Sequence, residues 1–442
     1  MPKRPMKPTP PTDAYLANIW HLFNLRESPF FQDTLEASTD ARYPIALFVG
    51  RTAEARRMLK EIGGKPSTRL AIKGPPGVGK TTLVQYLKSE VLRDAILSRP
   101  EPVAVSHTDT TDTFLLRLLS YVYETIVSHP LHASVEDVEP VQSARQLIRA
   151  FRLRSGGLSL TVPGGIGVGV SRETDVVTPE GVTAVEAPRL LRELARVIVD
   201  RLEAKGILVH VNNLENLSEA DQTRSAGIMR DLRDQVLMNQ HYHFVIVGTA
   251  DAIQTVVTSH KQVRDVFGLP VPIGPLAYEQ LRVLLARRYE HLVLDSDERP
   301  RDPVDSAALA RLYGLFAGDL RGTLRALDEA AHALVGYGAE AASPMTWEDM
   351  LPVLRERYER EMADQLTDTQ AGYLRKLAGS LEATVTQKTL MGIWSVSQAT
   401  VSEIAGELVA RGYLEAEPDP PRGPGRPQIR YRLAGAARLI FP

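Results

Sequence analysis

Short strands and longer helices alternate through the middle of the chain. Apolar runs at 207–211 and 244–247 predict buried strands of a parallel sheet, and two further strands are predicted at 69–72 and 102–106. Between and around them, helical periodicity predicts helices at 80–89, 112–128, 141–153, 188–204 and 219–238. This alternation predicts an α/β domain with a parallel sheet.

Alternating apolar positions interrupt the helical pattern at 157–172. Two period-2 runs flank Pro163-Gly164-Gly165, which predicts a β-hairpin inserted between the second and third strands. Glycines would let its tip approach another backbone, although no charged side chain precedes Arg172. Three roles for the hairpin stay open: a contact with a partner protein or a second copy, a contact with DNA, and a passive surface ribbon.

Beyond about residue 274 the pattern is helical until an Arg-rich segment near the C-terminus. Upstream, Trp20, Phe23 and Phe30 predict an apolar brace that packs against the following domain. The sequence therefore predicts five regions: a flexible N-terminal tail with the brace at 1–42, an α/β domain at 43–273, a helical region at 274–342, a connecting helix at 343–365 and a C-terminal module at 366–442.

The composition excludes several classes of protein. Over 442 residues, 43% are apolar and 24% charged, which is typical of a soluble globular protein. We expect no membrane partner and no signal peptide, because no apolar run is long enough for either. The absence of cysteine excludes disulfides, thiolate metal sites and cysteine nucleophiles, and is consistent with a cytoplasmic location. At a net charge of −2, any nucleic-acid contact requires local positive charge.

The most specific motif is Gly74-Pro75-Pro76-Gly77-Val78-Gly79-Lys80-Thr81, which follows a predicted strand and opens a predicted helix. Glycines let the backbone curl until its N–H groups face phosphate oxygens, and the following helix adds its dipole. Lys80 would reach the terminal phosphates, and the Thr81 hydroxyl would ligate Mg²⁺. With Thr82, this segment predicts a binding site for ATP or ADP.

The Pro-Pro form of this loop resembles the AAA+ ATPases. The stretch Phe48-Val49-Gly50-Arg51 is similar to the AAA+ segment that packs on adenine, so the resemblance implies base contacts by Val49 and Gly50. It also implies a P-loop NTPase parallel sheet followed by a helical lid, which would be the region 274–342.

One expected acidic pair is absent. The third strand of AAA+ proteins ends in Asp-Glu, which orients Mg²⁺ and activates water, whereas here Asn212-Asn213 and then Glu215 follow the strand. An amide carries no charge and cannot accept a proton. Three interpretations stay open: a nucleotide-bound switch with little turnover, a slow ATPase in which Glu215 is the base, and an acid supplied from another position. Asn212 remains the candidate metal ligand. His210, in the same strand, is expected to be a hydrogen-bonded core histidine.

Three further residues are assigned by the AAA+ resemblance. Thr249, after the strand 244–247, matches the sensor that detects the terminal phosphate, with Asp251 as the second choice. Arg264 resembles an arginine finger that would contact the nucleotide of a neighbouring copy, which implies an oligomer. Gly318-Asp319-Leu320-Arg321 resembles the second sensor of the initiator clade, the origin-recognition type, so Arg321 would bridge the lid and the phosphates.

The C-terminal module resembles a winged-helix domain of the transcription-regulator type. A short helix at 386–394 and a second at 397–411 predict a helix-turn-helix, which places Gln398, Thr400 and Ser402 where a recognition helix reaches base edges. From residue 420 onward there are arginines but no acidic residues. The candidate DNA-binding residues of this wing are Arg422, Arg426, Arg430 and Arg432. A winged helix used only for protein contacts stays open.

These features predict a nucleotide-switched protein that binds duplex DNA, with weak or slow ATP hydrolysis. The alternative is a signal-transducing or scaffold ATPase of a defence or transposition system, which would recruit an effector protein and contact DNA only incidentally. Duplex binding that depends on ATP would separate the two.

Overall fold

The chain divides into two units. The computed structural model describes residues 18–37, 41–154, 182–212, 214, 217–335, 343–380, 384–418 and 428–441. The first unit is Thr34–Gly274, and the second combines the described parts of Met1–Asp33 and Pro275–Pro442. The tail up to residue 17 and the predicted hairpin at 157–172 lie outside the described residues. The five-region division stays a prediction.

The first unit alternates helices and strands. In chain order these are α1 Thr52–Gly63, β1 Thr68–Lys73, α2 Lys80–Arg93, β2 Ile96–Leu97, β3 Val103–Ala104, α3 Thr111–Val127, α4 Glu139–Arg154, α5 Val182–Asp200, β4 Gly206–Asn212, α6 Glu219–Leu232, β5 Tyr242–Gly248, α7 Ala250–Ile253, α8 Lys261–Phe267 and β6 Val271–Pro272. Within the described residues they form a parallel sheet of order β2-β4-β5-β1-β6, with β3 beside β4. The predicted α/β fold with a parallel sheet is confirmed.

Helices cover both faces of this sheet. Alternate residues of each strand point to opposite faces, so Leu208 and Val245 pack with α1 and α2, whereas Val209 and Phe244 pack with helices α3 to α6. The side chains of β4 and β5 are almost completely buried. The strands are continuous hydrophobic runs because each face of the sheet packs against an apolar layer of helices.

The apolar layer between β4 and α2 contains two polar side chains. His210 is fully buried, and neither ring nitrogen has a hydrogen-bond partner within the described residues, so the expected hydrogen bond is not formed. Its face of β4 meets apolar side chains, and burial together with the Lys88 ammonium lowers the pKa of His210 well below its usual value. Burial also lowers the pKa of Lys88 to about 7, and its Nζ donates to the Pro100 carbonyl at 2.9 Å.

The second unit is mainly helical. Its elements are a 3₁₀ turn at Ile19–Phe23, α9 Tyr278–His291, α10 Ser306–Leu315, α11 Leu320–Leu334, α12 Trp347–Gln365, α13 Asp368–Ala378, β7 Val385–Thr386, α14 Gln387–Trp394, α15 Gln398–Ala410, β8 Leu414–Pro418, β9 Ile429–Leu433 and α16 Gly435–Ile440. None of the helices described in either unit is long and apolar enough to cross a membrane.

The segment before residue 34 packs on the helices that follow residue 275. Arg288 of α9 is buried, donates to the carbonyls of Pro29 and Phe31 at 2.9 and 2.8 Å, and lies 3.8 Å from the centre of the Phe31 ring. Trp20 packs edge-on against His332 of α11. The sequence predicts a brace on the following domain, whereas these aromatic residues contact helices far along the chain.

The C-terminal module is joined to the same helices. Its small sheet is antiparallel, of order β7-β9-β8, and α14 and α15 are separated by a turn in which Ser395 has φ 58°. Arg438 of α16 donates to the carbonyls of Gly314 and Leu315 at the end of α10, at 3.2 and 3.0 Å. Arg355 of α12 donates to the Leu439 carbonyl at 3.2 Å.

Candidate functional site

Three neighbouring strands end at one edge of the parallel sheet. Lys73 at the end of β1 pairs with Gly248 at the end of β5, and Val211 of β4 pairs with Ile246 of β5. The residues that follow these strands therefore lie side by side. They include the phosphate loop after β1, Thr249 after β5, and Asn212 at the end of β4. Ligands bind at this edge in open α/β sheets.

The phosphate loop has the backbone geometry that its glycines allow. Gly77 and Gly79 have φ values of 75° and 87°, in the left-handed region that side chains disfavour. A Cβ on Gly74 would overlap the carbonyl oxygen of Ile273, so only glycine fits there. Gly79 precedes α2, whose first turn has no side-chain cap within the described structure. This arrangement suits an anion at the helix N-terminus.

Lys80 is held at the start of the loop. It is buried, and its Nζ donates to the carbonyls of Gly74 and Pro75 at 3.0 and 2.8 Å. Thr81 and Thr82 follow in the first turn of α2 and are half-buried. A positive charge, a helix N-terminus and a curled glycine backbone are therefore concentrated in one short segment, which fits a phosphate chain.

The side chain at the end of β4 has an unsatisfied oxygen. The Oδ1 of Asn212 is buried and has no hydrogen-bond partner within the described residues. A buried acceptor of this kind is costly unless a donor or cation is bound, so it fits a hydrated Mg²⁺ beside the phosphates. Asn213 and Glu215 lie outside the described residues. Thr249 accepts a hydrogen bond from the Ala252 amide at 3.2 Å and caps α7.

The proposed adenine segment lies just before α1. Gly50 has φ 76°, and both Val49 and Gly50 are half-buried. Phe48 stacks on Tyr86 of α2 with ring centroids 4.6 Å apart, which ties the segment to the helix that begins in the phosphate loop. Val49 and Gly50 therefore belong to the same part of the unit as the loop.

The two candidate arginines are both exposed. Arg264 lies in α8, with its Nε 3.8 Å from the Asp265 carboxylate. Arg321 is the second residue of α11 in the other unit. The glycine of its motif has a packing reason, because Gly318 has φ 80° and a Cβ there would overlap the Pro275 ring. Burial raises the pKa of Asp319, at the N-terminus of α11.

The comparisons with known proteins concern the C-terminal module and the whole fold. Residues 364–423 match the family model described as MarR family. The C-terminal module is a MarR-type winged helix. No curated protein matches the sequence.

Solved structures similar to the chain include two proteins of Aeropyrum pernix. The ORC2 protein of Aeropyrum pernix, in ADPNP–ADP complexes, has a TM-score of 0.49 at 16% identity, over 94% of this chain and 96% of that chain. The ORC1 protein of the same organism, in complex with DNA, has a TM-score of 0.42 at 16% identity, over 89% and 92%. The ADP form of the ORC2 protein has a TM-score of 0.44 at 16% identity, over 93% and 95%.

The helix predicted to be the recognition helix of the winged helix is α15. Gln398 and Ser402 are exposed, whereas Thr400 is half-buried, and its hydroxyl lies 2.9 Å from that of Ser397, which caps the helix. Gly412 follows the helix end with φ 77°, a left-handed conformation that glycine commonly supplies after a helix. Gln398 and Ser402 are therefore the better placed of the three predicted base contacts.

The wing arginines differ in their partners. Arg430 and Arg432 alternate with the buried Tyr431 along β9 and so share one face. Arg432 forms an ion pair with Glu415 across the β8–β9 ladder, and Arg430 Nη1 lies 3.5 Å from the Thr384 hydroxyl. Arg422 and Arg426 lie outside the described residues.

One residue of the site was not singled out from the sequence. Arg51 is only 8% exposed, and its guanidinium donates to the Val78 carbonyl of the phosphate loop at 3.1 Å and to the Gly274 carbonyl. A signal was present, because Arg51 ends the stretch Phe48-Val49-Gly50-Arg51 that was assigned to adenine contact from the sequence. Its two carbonyl partners, however, could only be found in the folded chain.

Proposed function

We propose that the chain binds ATP and ADP and that the bound nucleotide sets its affinity for duplex DNA. The phosphate loop carries this proposal, because its glycine geometry and the buried Lys80 suit a phosphate chain. The MarR-type winged helix supports the DNA half, since such modules place a helix in the major groove.

In this proposal each part of the site has a separate role. Lys80 neutralises the terminal phosphates, while Thr81 and Asn212 hold a hydrated Mg²⁺. Val49 and Gly50 contact the base. Arg321 extends from the lid to the phosphates when the nucleotide is bound. Because Arg438 joins the winged helix to α10 of the predicted lid, and Arg355 joins it to the connecting helix, a lid displacement would carry the winged helix with it.

Hydrolysis is expected to be slow. An amide at Asn212 or Asn213 cannot serve as a general base, and losing such a base lowers rates by about 10²–10⁴-fold. Turnover of ATP by the wild type and by Glu215→Gln tests the remaining candidate base. A slow rate that Glu215→Gln abolishes supports Glu215, and no turnover supports the switch. A rate near that of an active AAA+ enzyme, unchanged by Glu215→Gln, contradicts both.

Calorimetry with ATP and ADP tests nucleotide binding directly. We expect saturable uptake by the wild type and its loss in Lys80→Ala, with Lys60→Ala, an exposed lysine of α1, as the control. Circular dichroism would establish that the Lys80 variant is folded. The proposal would be contradicted if folded wild-type protein bound no nucleotide, or if Lys80→Ala bound nucleotide as well as the wild type.

A mobility shift with and without ATP tests the DNA half. Arg426→Ala combined with Arg430→Ala should weaken duplex binding and reduce its salt dependence, by about one unit of slope for each lost phosphate contact. Duplex binding that depends on nucleotide supports the proposal. If no duplex binds at moderate salt, the signal-transducing or scaffold ATPase that recruits an effector is the better account.

We also propose that Arg264 contacts the nucleotide of a second copy. The guanidinium is exposed, and its planar fork suits charge that is spread over phosphoryl oxygens. Mass photometry of the wild type with ATP and DNA should show an oligomer. A phosphate-release assay should show that Arg264→Ala turns over ATP more slowly than the wild type. A monomer under all these conditions would contradict this role.

A further inference from the structure

Arg51 joins two peptide groups that are far apart in the sequence. Its guanidinium donates to the carbonyl of Val78, inside the phosphate loop, and to the carbonyl of Gly274, at the end of the first unit. The side chain is buried, and the backbone has φ 59°, which a residue with a Cβ rarely adopts. Such a conformation persists only where surrounding contacts hold it.

The first of these peptide groups presents an amide to the phosphate site. The carbonyl of Val78 and the N–H of Gly79 belong to one planar trans peptide, so they point in opposite directions. A guanidinium that holds the carbonyl on one side therefore aims the Gly79 N–H away from Arg51. Gly79 directly precedes α2, at the end of the helix that favours an anion.

The second peptide group leads out of the unit. The carbonyl of Gly274 shares a plane with the nitrogen of Pro275, where the chain enters the second unit. Proline restricts its own φ, so the orientation of this plane strongly limits the path of the chain beyond it. The preceding residue is also fixed at the end of β1, because the Ile273 amide donates to the Lys73 carbonyl at 2.7 Å.

We propose that Arg51 is a positioning residue that couples phosphate binding to the Gly274–Pro275 peptide. Arg51 orients the Gly79 amide before the nucleotide binds. When the nucleotide binds, the Val78–Gly79 peptide plane rotates, and the guanidinium transmits this rotation to the Gly274 carbonyl. This proposal rests on the proposed nucleotide binding. It adds the path by which an occupied phosphate loop acts on the connection to the lid.

Hydrogen exchange of the full chain, without nucleotide and with ADP or a non-hydrolysable ATP analogue, tests the coupling. In the wild type we expect nucleotide to slow exchange both in the phosphate loop and in peptides covering 269–274. This measurement on the wild type does not depend on the folding of any variant.

Arg51→Met retains most of the side-chain volume but removes the donors, and Arg56→Met on the exposed side of α1 is the matched control. We expect Arg51→Met to bind nucleotide about tenfold more weakly by calorimetry, the loss of about one charge-assisted hydrogen bond. At saturating nucleotide its phosphate loop should still be protected, while the protection at 269–274 is lost. Arg51→Lys, which keeps the charge without the planar fork, should be intermediate.

The outcomes separate this proposal from nucleotide binding itself. If folded wild-type protein takes up no nucleotide, both proposals fail. If it takes up nucleotide without slower exchange at 269–274, or if Arg51→Met retains that protection at saturation, only the coupling role fails. A purely structural role would lower the melting temperature of the nucleotide-free protein and leave the nucleotide-dependent difference unchanged.

Discussion

At the scale of single residues, the phosphate loop depends on Gly74 having no side chain. Gly74 is in contact with the backbone of Ile273, which can move only if β6 moves away from β1. The same close approach allows the Ile273 amide to pair with the β1 carbonyl. The absence of a side chain at Gly74 therefore allows the backbone at Ile273, just before the connection to the second unit, to lie against the phosphate loop.

Gly74→Ala should consequently disturb both binding and stability. The added Cβ displaces the Ile273 carbonyl, and overpacking of this kind costs about 1–3 kcal/mol. We expect the free energy of unfolding to fall by that amount and nucleotide affinity to fall at least about tenfold. Chemical denaturation and calorimetry measure the two effects. Gly63→Ala is the control, because a Cβ at this last residue of α1 meets nothing within 4 Å. Equal effects of the two substitutions would contradict the packing argument.

Lys88 should make stability depend on pH. Its pKa is lowered from 10.5 to about 7 by burial, so between these values the unfolded chain binds more protons than the folded one. Wild-type stability therefore gains a contribution as pH rises through this window, and the buried charge lowers it most below pH 7.

The comparison with Lys88→Met isolates this contribution. The difference in unfolding free energy, wild type minus variant, should rise by about 1.4 kcal/mol per pH unit between about pH 7.5 and 9. Loss of the bond to the Pro100 carbonyl changes the offset but not the slope. Urea titrations at several pH values measure it, and Lys60→Met controls for removal of a lysine charge. A difference that is flat over this range would mean that Lys88 keeps its proton in the folded protein up to about pH 9.

At the scale of elements, α16 joins the winged helix to α10. Arg438 supplies donors to the last carbonyls of α10, which have no partner within a helix that ends there. The Gly318–Arg321 motif begins three residues after this helix end. A helix of the C-terminal module is thus attached a few residues before the arginine that we propose to contact the phosphates.

Arg438→Met should weaken this attachment. Because Arg438 is half-buried, we expect a loss of about 1 kcal/mol in unfolding free energy. Nucleotide affinity should be unchanged, whereas the ratio of DNA affinities with and without ATP should move toward one. Calorimetry and mobility shifts measure these quantities, with Lys388→Met on the exposed side of α14 as the control. An unchanged affinity ratio would show that α16 does not transmit the nucleotide signal.

At the scale of the whole molecule, two peptide connections join the units, at residues 33–34 and 274–275. Each unit has its own buried core. The contacts described for the phosphate loop, including those of Arg51 and Ile273, all lie within the first unit. Lid residues such as Arg321 belong to the second.

The fragment 34–274 should therefore fold alone and bind nucleotide, but more weakly than the full chain. If Arg321 supplies the missing affinity, the full chain carrying Arg321→Ala should bind like the fragment. Circular dichroism and calorimetry test both statements. A fragment that binds as tightly as the full chain would show that the second unit adds nothing to the nucleotide site.

Local sequence was sufficient to predict the elements and the phosphate loop. The glycines, Lys80 and Thr81 are consecutive, because the groups that cradle a phosphate are neighbouring backbone amides, so a short motif contains the whole signal. Continuous apolar runs likewise predicted β4 and β5, and helical periodicity predicted the helix-turn-helix of the winged helix. The two-residue strands β2 and β6 were not predicted, since no strand-like run of residues surrounds them.

Only the tertiary structure decided which distant residues meet. The packing of Trp20 on His332, the pairing of Arg432 with Glu415 and the contact of Arg51 with Gly274 each join positions whose own neighbours give no sign of the partner. Such contacts follow from shape and charge complementarity between assembled elements, which no local pattern records. The sequence by itself thus determined the phosphate-loop motif, because its groups are neighbours along the chain. The assembled fold decided which distant residues contact that loop, because those contacts depend on how the elements pack.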